Sequence, residues 1–173
     1  MSERVVTKEG LMSHIERDWQ ALMTWLKPLT PHQVSEIRNP DGWAIKDHVA
    51  HMAAWENSAV GFLERQPRHK GLGILESAFL GENLDMINDM IFHQHKDSSY
   101  EVILQNFISV HAHLLSVLAS LTTEDLMKPY THYLPDEPGE GDGPPALNVV
   151  YGNTAHHYRL HQGWMMALLD EKR

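Results

Sequence analysis

The sequence predicts an all-α fold that closes as a four-helix bundle, with one extra helical segment between the second and third main helices. Three observations predict it. Apolar residues recur at helical spacing along four long stretches. No stretch sustains the two-residue alternation of a half-buried strand. Clusters of proline, glycine and small polar residues punctuate the helical stretches at intervals. Helices that each carry one apolar stripe bury it most simply against one another, and a bundle is the simplest closure.

The first helix carries Leu11, Ile15, Trp19, Leu22, Met23 and Leu26 on one face, about five turns at 3.6 residues each. Pro28 and Pro31 end it, because proline lacks the N–H that a helix needs. After the turn cluster Asn39-Pro40-Asp41-Gly42, a second helix is expected over 43–65, with Ile45, Val49, Met52, Ala53, Val60 and Leu63 as its apolar side. Pro67 and the glycines at 71 and 73 close it. Residues 75–95 form the extra helical segment, weakly interrupted at Gly81. Ser98 and Glu101 have the spacing of a capping box opening the third main helix, which carries Val102, Ile103, Phe107, Val110, Leu114, Leu115, Leu118 and Leu121. Residues 122–126 read as a short cap-and-turn piece. Five prolines and three glycines between Pro129 and Pro145 mark the one long loop, and the last helix is expected over 146–170.

The totals bound the answer. At 173 residues the chain is expected to form one domain over 1–173, with a core large enough to need no staples. Lys plus Arg number 14 against 23 Asp plus Glu, a net charge of −9. That acidic balance predicts no nucleic-acid partner and no anionic membrane surface, since neither would be steered in. The absence of cysteine excludes disulfides and any thiol nucleophile of the protein's own. No secretory leader is visible at the start and no apolar run approaches membrane-spanning length, so the expected compartment is the cytoplasm.

Histidine is the residue type that points to chemistry, with thirteen copies. His157 and His161 lie four apart in a helical run, which puts two imidazoles on one face with Cβ atoms roughly 5–6 Å apart. A single metal ion is within reach of both, although many such pairs are only polar residues on a solvated stripe. There is no glutamate at 158 and no Glu-x-x-His pair, so neither a metalloprotease signature nor a di-iron carboxylate site is present. On the second helix His51 sits among Val49, Met52 and Ala54, while His48 is the rival ligand nearer the polar side with Asp47. His111 and His113, like His93 and His95, are two apart and cannot share a helical face; one of each pair has room to point inward, but surface placement is expected for them. His156 points about 100° away from His157. Trp19, Trp25, Trp43 and Trp55 read as core. No phosphate-binding loop, dinucleotide fingerprint or nucleophile elbow occurs.

Two segments, Trp43-Ala-Ile-Lys-Asp-His-Val-Ala-His51-Met-Ala-Ala-Trp-Glu56 and Asn153-Thr-Ala-His-His157-Tyr-Arg-Leu-His161, together resemble the DinB-like superfamily of bacterial four-helix proteins. This superfamily includes metal-dependent hydrolases and bacillithiol transferases of the YfiT-like kind, mycothiol-dependent maleylpyruvate isomerases, and the ClbS/DfsB group. The run Leu84-Asp-Met-Ile-Asn-Asp89 and the stretch 98–126 are similar too, so the likeness spans nearly the whole chain. The resemblance implies metal ligands at His51, His157 and His161. It also implies a divalent ion, zinc or nickel, and an enzyme of the hydrolase or small-thiol S-transferase class acting on a small-molecule substrate. The thiol would come from a low-molecular-weight cofactor. The alternative it implies is a non-catalytic protein that binds and neutralises a small molecule in stress protection. Homodimers are common among such bundles and are expected here. Asp47 and Asn153 are candidates to orient a ligand imidazole. The family usually has Ser or Thr where this chain has Ala44, which leaves only the Asp47 half of a capping box and predicts a weaker helix start.

Overall fold

The computed structural model describes residues 5–81, 83–137 and 142–171. The helices run in the order α1 (Lys8–Leu26), α2 (Pro31–Ser35), α3 (Ile45–Leu63), α4 (Arg68–Leu72), α5 (Glu76–Gly81), α6 (Leu84–His95), α7 (Tyr100–Ser120), α8 (Thr123–Leu126), α9 (Tyr130–Tyr133), α10 (Ala146–Asn153) and α11 (Ala155–Asp170). Among the described residues there is no strand, only isolated bridges at Arg38–Ala44 and Pro129–Pro145. The four bundle members are α1, α3, α7 and the α10–α11 pair, as the periodicity predicts. Part of the loop expected over 129–145 is the turn of α9, and residues 138–141 lie outside the described residues.

The central member is α3. It packs against α7, α4, α6, α10 and α11, and nearly every side chain along it is buried, including Lys46, Asp47, His48, His51, Glu56 and Ser58. A helix enclosed on all sides has no solvated stripe, so its polar residues must find partners inside the protein. Lys46 does so by donating to the carbonyls of Lys96 and Ser98 at 2.6 and 2.9 Å. The α3 start lacks a side-chain cap at Ala44, but the Asp47 carboxylate accepts the Ala44 N–H at 2.8 Å and an Arg38 N–H at 3.2 Å. α4 lies backbone to backbone on α3, where a Cβ at Gly71 would meet the Ser58 Cα at 2.5 Å. Glycine is required there.

Leu11, Ile15 and Leu22 of α1, Val49 and Met52 of α3, Phe107, Leu114 and Leu118 of α7, and Tyr158 and Met165 of α11 belong to one core. Burying a side chain such as Phe107 stabilises by about 1.5–3 kcal/mol. The extra segment sits outside this core on its own small cluster of Ala54, Trp55, Leu72, Ile87 and Ile91. By length and composition alone α7 could cross a membrane, with a mean hydropathy of 1.6. This corrects the expectation that no run approaches that length. In this fold α7 is a bundle helix with Ile103, Phe107, Leu114 and Leu118 in the core.

Three boundaries differ from expectation, each for a local hydrogen-bonding reason. The segment expected over 75–95 divides into α5 and α6, because the Asn83 side chain accepts the Met86 N–H at 3.0 Å and caps a new start. The cap of α7 is Ser99, which accepts from Val102, and not Ser98, whose carbonyl is taken by Lys46. The last helix breaks at Thr154 (φ −129°, ψ −105°), whose hydroxyl donates back to the Val150 carbonyl at 2.6 Å. Such back-bonding competes with the helix ladder. The break sets the direction of α11, which carries His157 and His161.

Candidate metal centre

α3 contributes His48 and His51, spaced three apart, and α11 contributes His157 and His161, spaced four apart. Both spacings put their pair on one face, and α3 and α11 pack together, so the four rings meet between the helices. His51 Nε2 lies 3.1 Å from His157 Nε2, and His48 Nδ1 lies 2.9 Å from His161 Nδ1. The rings of His51 and His157 stand 4.7 and 4.5 Å from that of His161. One nitrogen from each of His51, His157 and His161 lies within 4.8 Å of the other two. The three residues named from the sequence are therefore brought together, across a separation of more than a hundred residues.

Burial governs the electrostatics. Desolvation disfavours the imidazolium form, and it lowers the pKa of His48 and of His157 to about 4. His51 falls to about 2 and His161 is lowered strongly, through desolvation first and neighbouring imidazoles second. The four rings are neutral near pH 7, so each keeps one bare nitrogen lone pair. Three bare nitrogens converging on one point make a donor set suited to zinc or nickel. Ligand nitrogens 2.0–2.1 Å from a tetrahedral ion stand about 3.3 Å apart, close to the His51–His157 spacing. Meanwhile Nδ1 of His51 and Nδ1 of His157 are buried without a hydrogen-bond partner.

Several neighbours of the centre were not assigned to it by spacing. His48 is buried in the cluster rather than lying toward a polar side, because α3 has no polar side. The sequence offers it as the rival ligand, three residues before His51, and misplaces only its surroundings. Trp43 is not simply core: with Trp164 it borders a cavity of about 620 Å³ over the imidazoles. Neither proposed orienting residue touches a ligand ring. Asp47 is occupied at the α3 start, while Asn153 donates to Val149 and accepts from Arg68. His111 is buried, not on the surface. Its Nδ1 lies 3.0 Å from Glu56, whose other oxygen accepts the Tyr158 hydroxyl at 2.6 Å, and Trp19 stacks on its ring. His113 and His93 are exposed, as expected, His95 is half-buried, and His156 is exposed.

A sequence profile of the DinB superfamily matches residues 14–165. No curated protein matches the sequence. Among solved structures, a Streptococcus pneumoniae protein is 15% identical, with a TM-score of 0.78 over 98% of this chain and 94% of its own. DfsB, described as a sibling lethal factor precursor, is 16% identical with a TM-score of 0.75, covering 98% of this chain and 99% of its own. The colibactin self-resistance protein ClbS, in complex with double-stranded DNA, is 17% identical with a TM-score of 0.74, covering 97% and 98%. At these identities the likeness concerns the fold alone.

The ClbS complex corrects the expectation drawn from the acidic balance, that nucleic acid is excluded as a partner. Net charge is a sum over the whole surface and does not set the potential of any one face. The profile match covers most of the sequence, and the chain belongs to the DinB superfamily.

Proposed function

We propose that His51, His157 and His161 hold one divalent ion, zinc or nickel, and that the protein is a metal-dependent enzyme of the hydrolase or small-thiol S-transferase class. The observation that carries this reading is the convergence of three neutral imidazoles, from two helices, with their ligand atoms within 4.8 Å of one another. Such an ion, when bound, lowers the pKa of water to about 7 or stabilises an external thiolate, and so supplies a nucleophile at neutral pH. The chain's own residues do the rest. Burial keeps the imidazoles unprotonated and ready to ligate. His48 contacts Nδ1 of His161 and holds that ring's tautomer and orientation. Trp43 and Trp164 wall the cavity and limit water around the reacting atoms. With no cysteine in the chain, a thiol nucleophile has to come from a small molecule.

Metal analysis of protein purified without added metal tests the site. About one ion per chain is expected, with loss of the metal in His51→Ala and in His157→Ala. Full metal content in both variants would defeat the reading. Turnover of ester, amide and electrophilic substrates, with and without added small thiols, then separates the two enzyme classes.

A second reading is favoured by the description of ClbS as a self-resistance protein. In it the cavity sequesters a harmful small molecule without turnover. Tight binding that survives chelation, with no product formed, is its expected signature.

A further inference from the structure

The cavity over the imidazoles has walls and a rim whose chemistry restricts what enters. The Trp43 ring lies 5.2 and 5.4 Å from those of His48 and His51, and the Trp164 ring lies 4.8 Å from that of His161. The two indoles thus bracket the imidazole group, one from the α3 start and one from α11. Trp43 is held by stacking on Phe92, with ring planes 14° apart. Trp164 is 51% exposed and stands at the cavity wall. An apolar surface left half-covered beside a cavity gains most from a flat apolar ligand.

The charges lining the cavity have one sign. Asp41 and Glu171 are there, and no Lys or Arg is among the described lining residues. Both carboxylates are exposed while His51 and His161 are buried, so acid sits at the rim and imidazole at the floor. No hydrogen bond or ion pair joins either carboxylate to another described side chain. Arg38, the cation nearest Asp41 in sequence, is already occupied by Asp47 and the carbonyls of Ser35 and Gly42. Lys172 and Arg173 follow Glu171 and lie outside the described residues, so the charge preference is assigned first to Asp41. The net charge of −9 adds a long-range field of the same sign.

We propose that this cavity takes a ligand with a planar apolar body, seated between the indoles of Trp43 and Trp164, and a protonated amine directed at the acidic rim. The proposal deepens the metal-centre reading and rests on it for the cavity's role as the reaction site, but not for the ligand preference. A divalent ion at the floor and an ammonium at the rim would lie at opposite ends of the cavity, with the carboxylates beside the ammonium. A substrate or thiol recognised through its own carboxylate finds no cation among the described lining residues.

Three probes of similar shape test it: 2-phenylethylammonium, 2-phenylethanol and phenylacetate. Each is titrated into the full chain as purified, and again after chelation, while the indole N–H signals of Trp43 and Trp164 are followed by NMR. The ammonium is expected to bind about threefold or more tighter than the alcohol, from charge and cation–π attraction, and phenylacetate to bind weakest. Asp41→Asn should flatten that order, and Trp164→Ala should weaken all three probes; both positions are exposed, so neither change threatens folding. Phenylacetate binding as well as the ammonium after chelation would overturn the proposal, as would titrations that leave both indole signals unmoved at millimolar probe. A chain that holds no metal yet keeps the order of probes supports this proposal and removes the metal reading. A chain that holds metal at the histidines but favours the carboxylate after chelation does the reverse.

Discussion

Among the described residues the bundle contains two buried histidine groups, and adjacent residues of α11 serve them: Tyr158 one, His157 the other. In the first, Glu56 joins His111 and Tyr158, and none of the three has a buried side-chain atom without a partner. Burial pushes the Glu56 carboxyl up, and its hydrogen bonds to His111 and Tyr158 pull against that shift. In the second group imidazoles face imidazoles, no carboxylate among the described residues bonds to them, and two Nδ1 atoms have no partner. The same interior and the same residue type thus give two outcomes. The Glu56–His111–Tyr158 group is satisfied by the chain, whereas Asp47 at the α3 start keeps one carboxylate oxygen buried without a partner. A group in which imidazole bonds to imidazole and the Nδ1 atoms of His51 and His157 keep no partner among the described residues is the one to test for an external ligand.

Substitutions and conditions that act on one group and spare the other test this contrast. The largest effect is expected from Glu56→Ala, which takes the carboxylate from both His111 and Tyr158 and leaves them only their mutual contact at 3.3 Å. At about 1–3 kcal/mol for each unsatisfied partner, the loss should reach about 3 kcal/mol, read by urea unfolding. A loss no larger than that of His157→Ala in metal-free protein would erase the distinction. Next, zinc should stabilise the wild-type chain by about 2.7 kcal/mol at a hundredfold excess over Kd, and should leave His51→Ala unmoved. Equal stabilisation of both proteins places the metal elsewhere.

A smaller effect is expected from pH on the metal-free chain. His48 and His157 have folded pKa values of about 4, below the ordinary histidine value of 6.5. The unfolded chain therefore takes up protons first. Stability is unaffected by these groups above pH 6.5 and falls as the pH drops from 6.5 toward 4. Thermal unfolding across that window should show the fall, and a ligated ion should blunt it by occupying the lone pairs. A flat profile in the metal-free chain would mean the rings are not buried as a group. The smallest effect belongs to Tyr158→Phe, which removes the bond to Glu56 and the longer one to His111 and keeps the ring packing, at about 1 kcal/mol and with no change in metal content. Loss of metal in that variant would join the two groups into one.

Helix positions were legible because a helix that buries one face writes its period into the sequence, as Leu11, Ile15, Leu22 and Leu26 do in α1. The three-histidine set was legible in part. The His157–His161 spacing marks one face of one helix, and the resemblance to the DinB-like superfamily supplied His51. His48 and His111 were misjudged for one reason: spacing says which residues share a face but not what that face meets. α3 is enclosed on all sides, so its nominal polar side is interior. His111 has its partner 55 residues away in Glu56. The break at Thr154 was hidden as well, because a side-chain hydroxyl bonding back four residues leaves no mark on apolar periodicity.

By itself the sequence determined the all-α class, the four long helical stretches, the lack of any thiol of its own and the residue type at the site. These follow from local spacing and composition, which each segment carries alone. Tertiary structure decided which histidines meet, which are satisfied by a carboxylate, and which tryptophans and carboxylates edge the cavity. Those outcomes depend on how α3 and α11 are set against each other, through the break at Thr154 and the packing of α11 on α1 and α3.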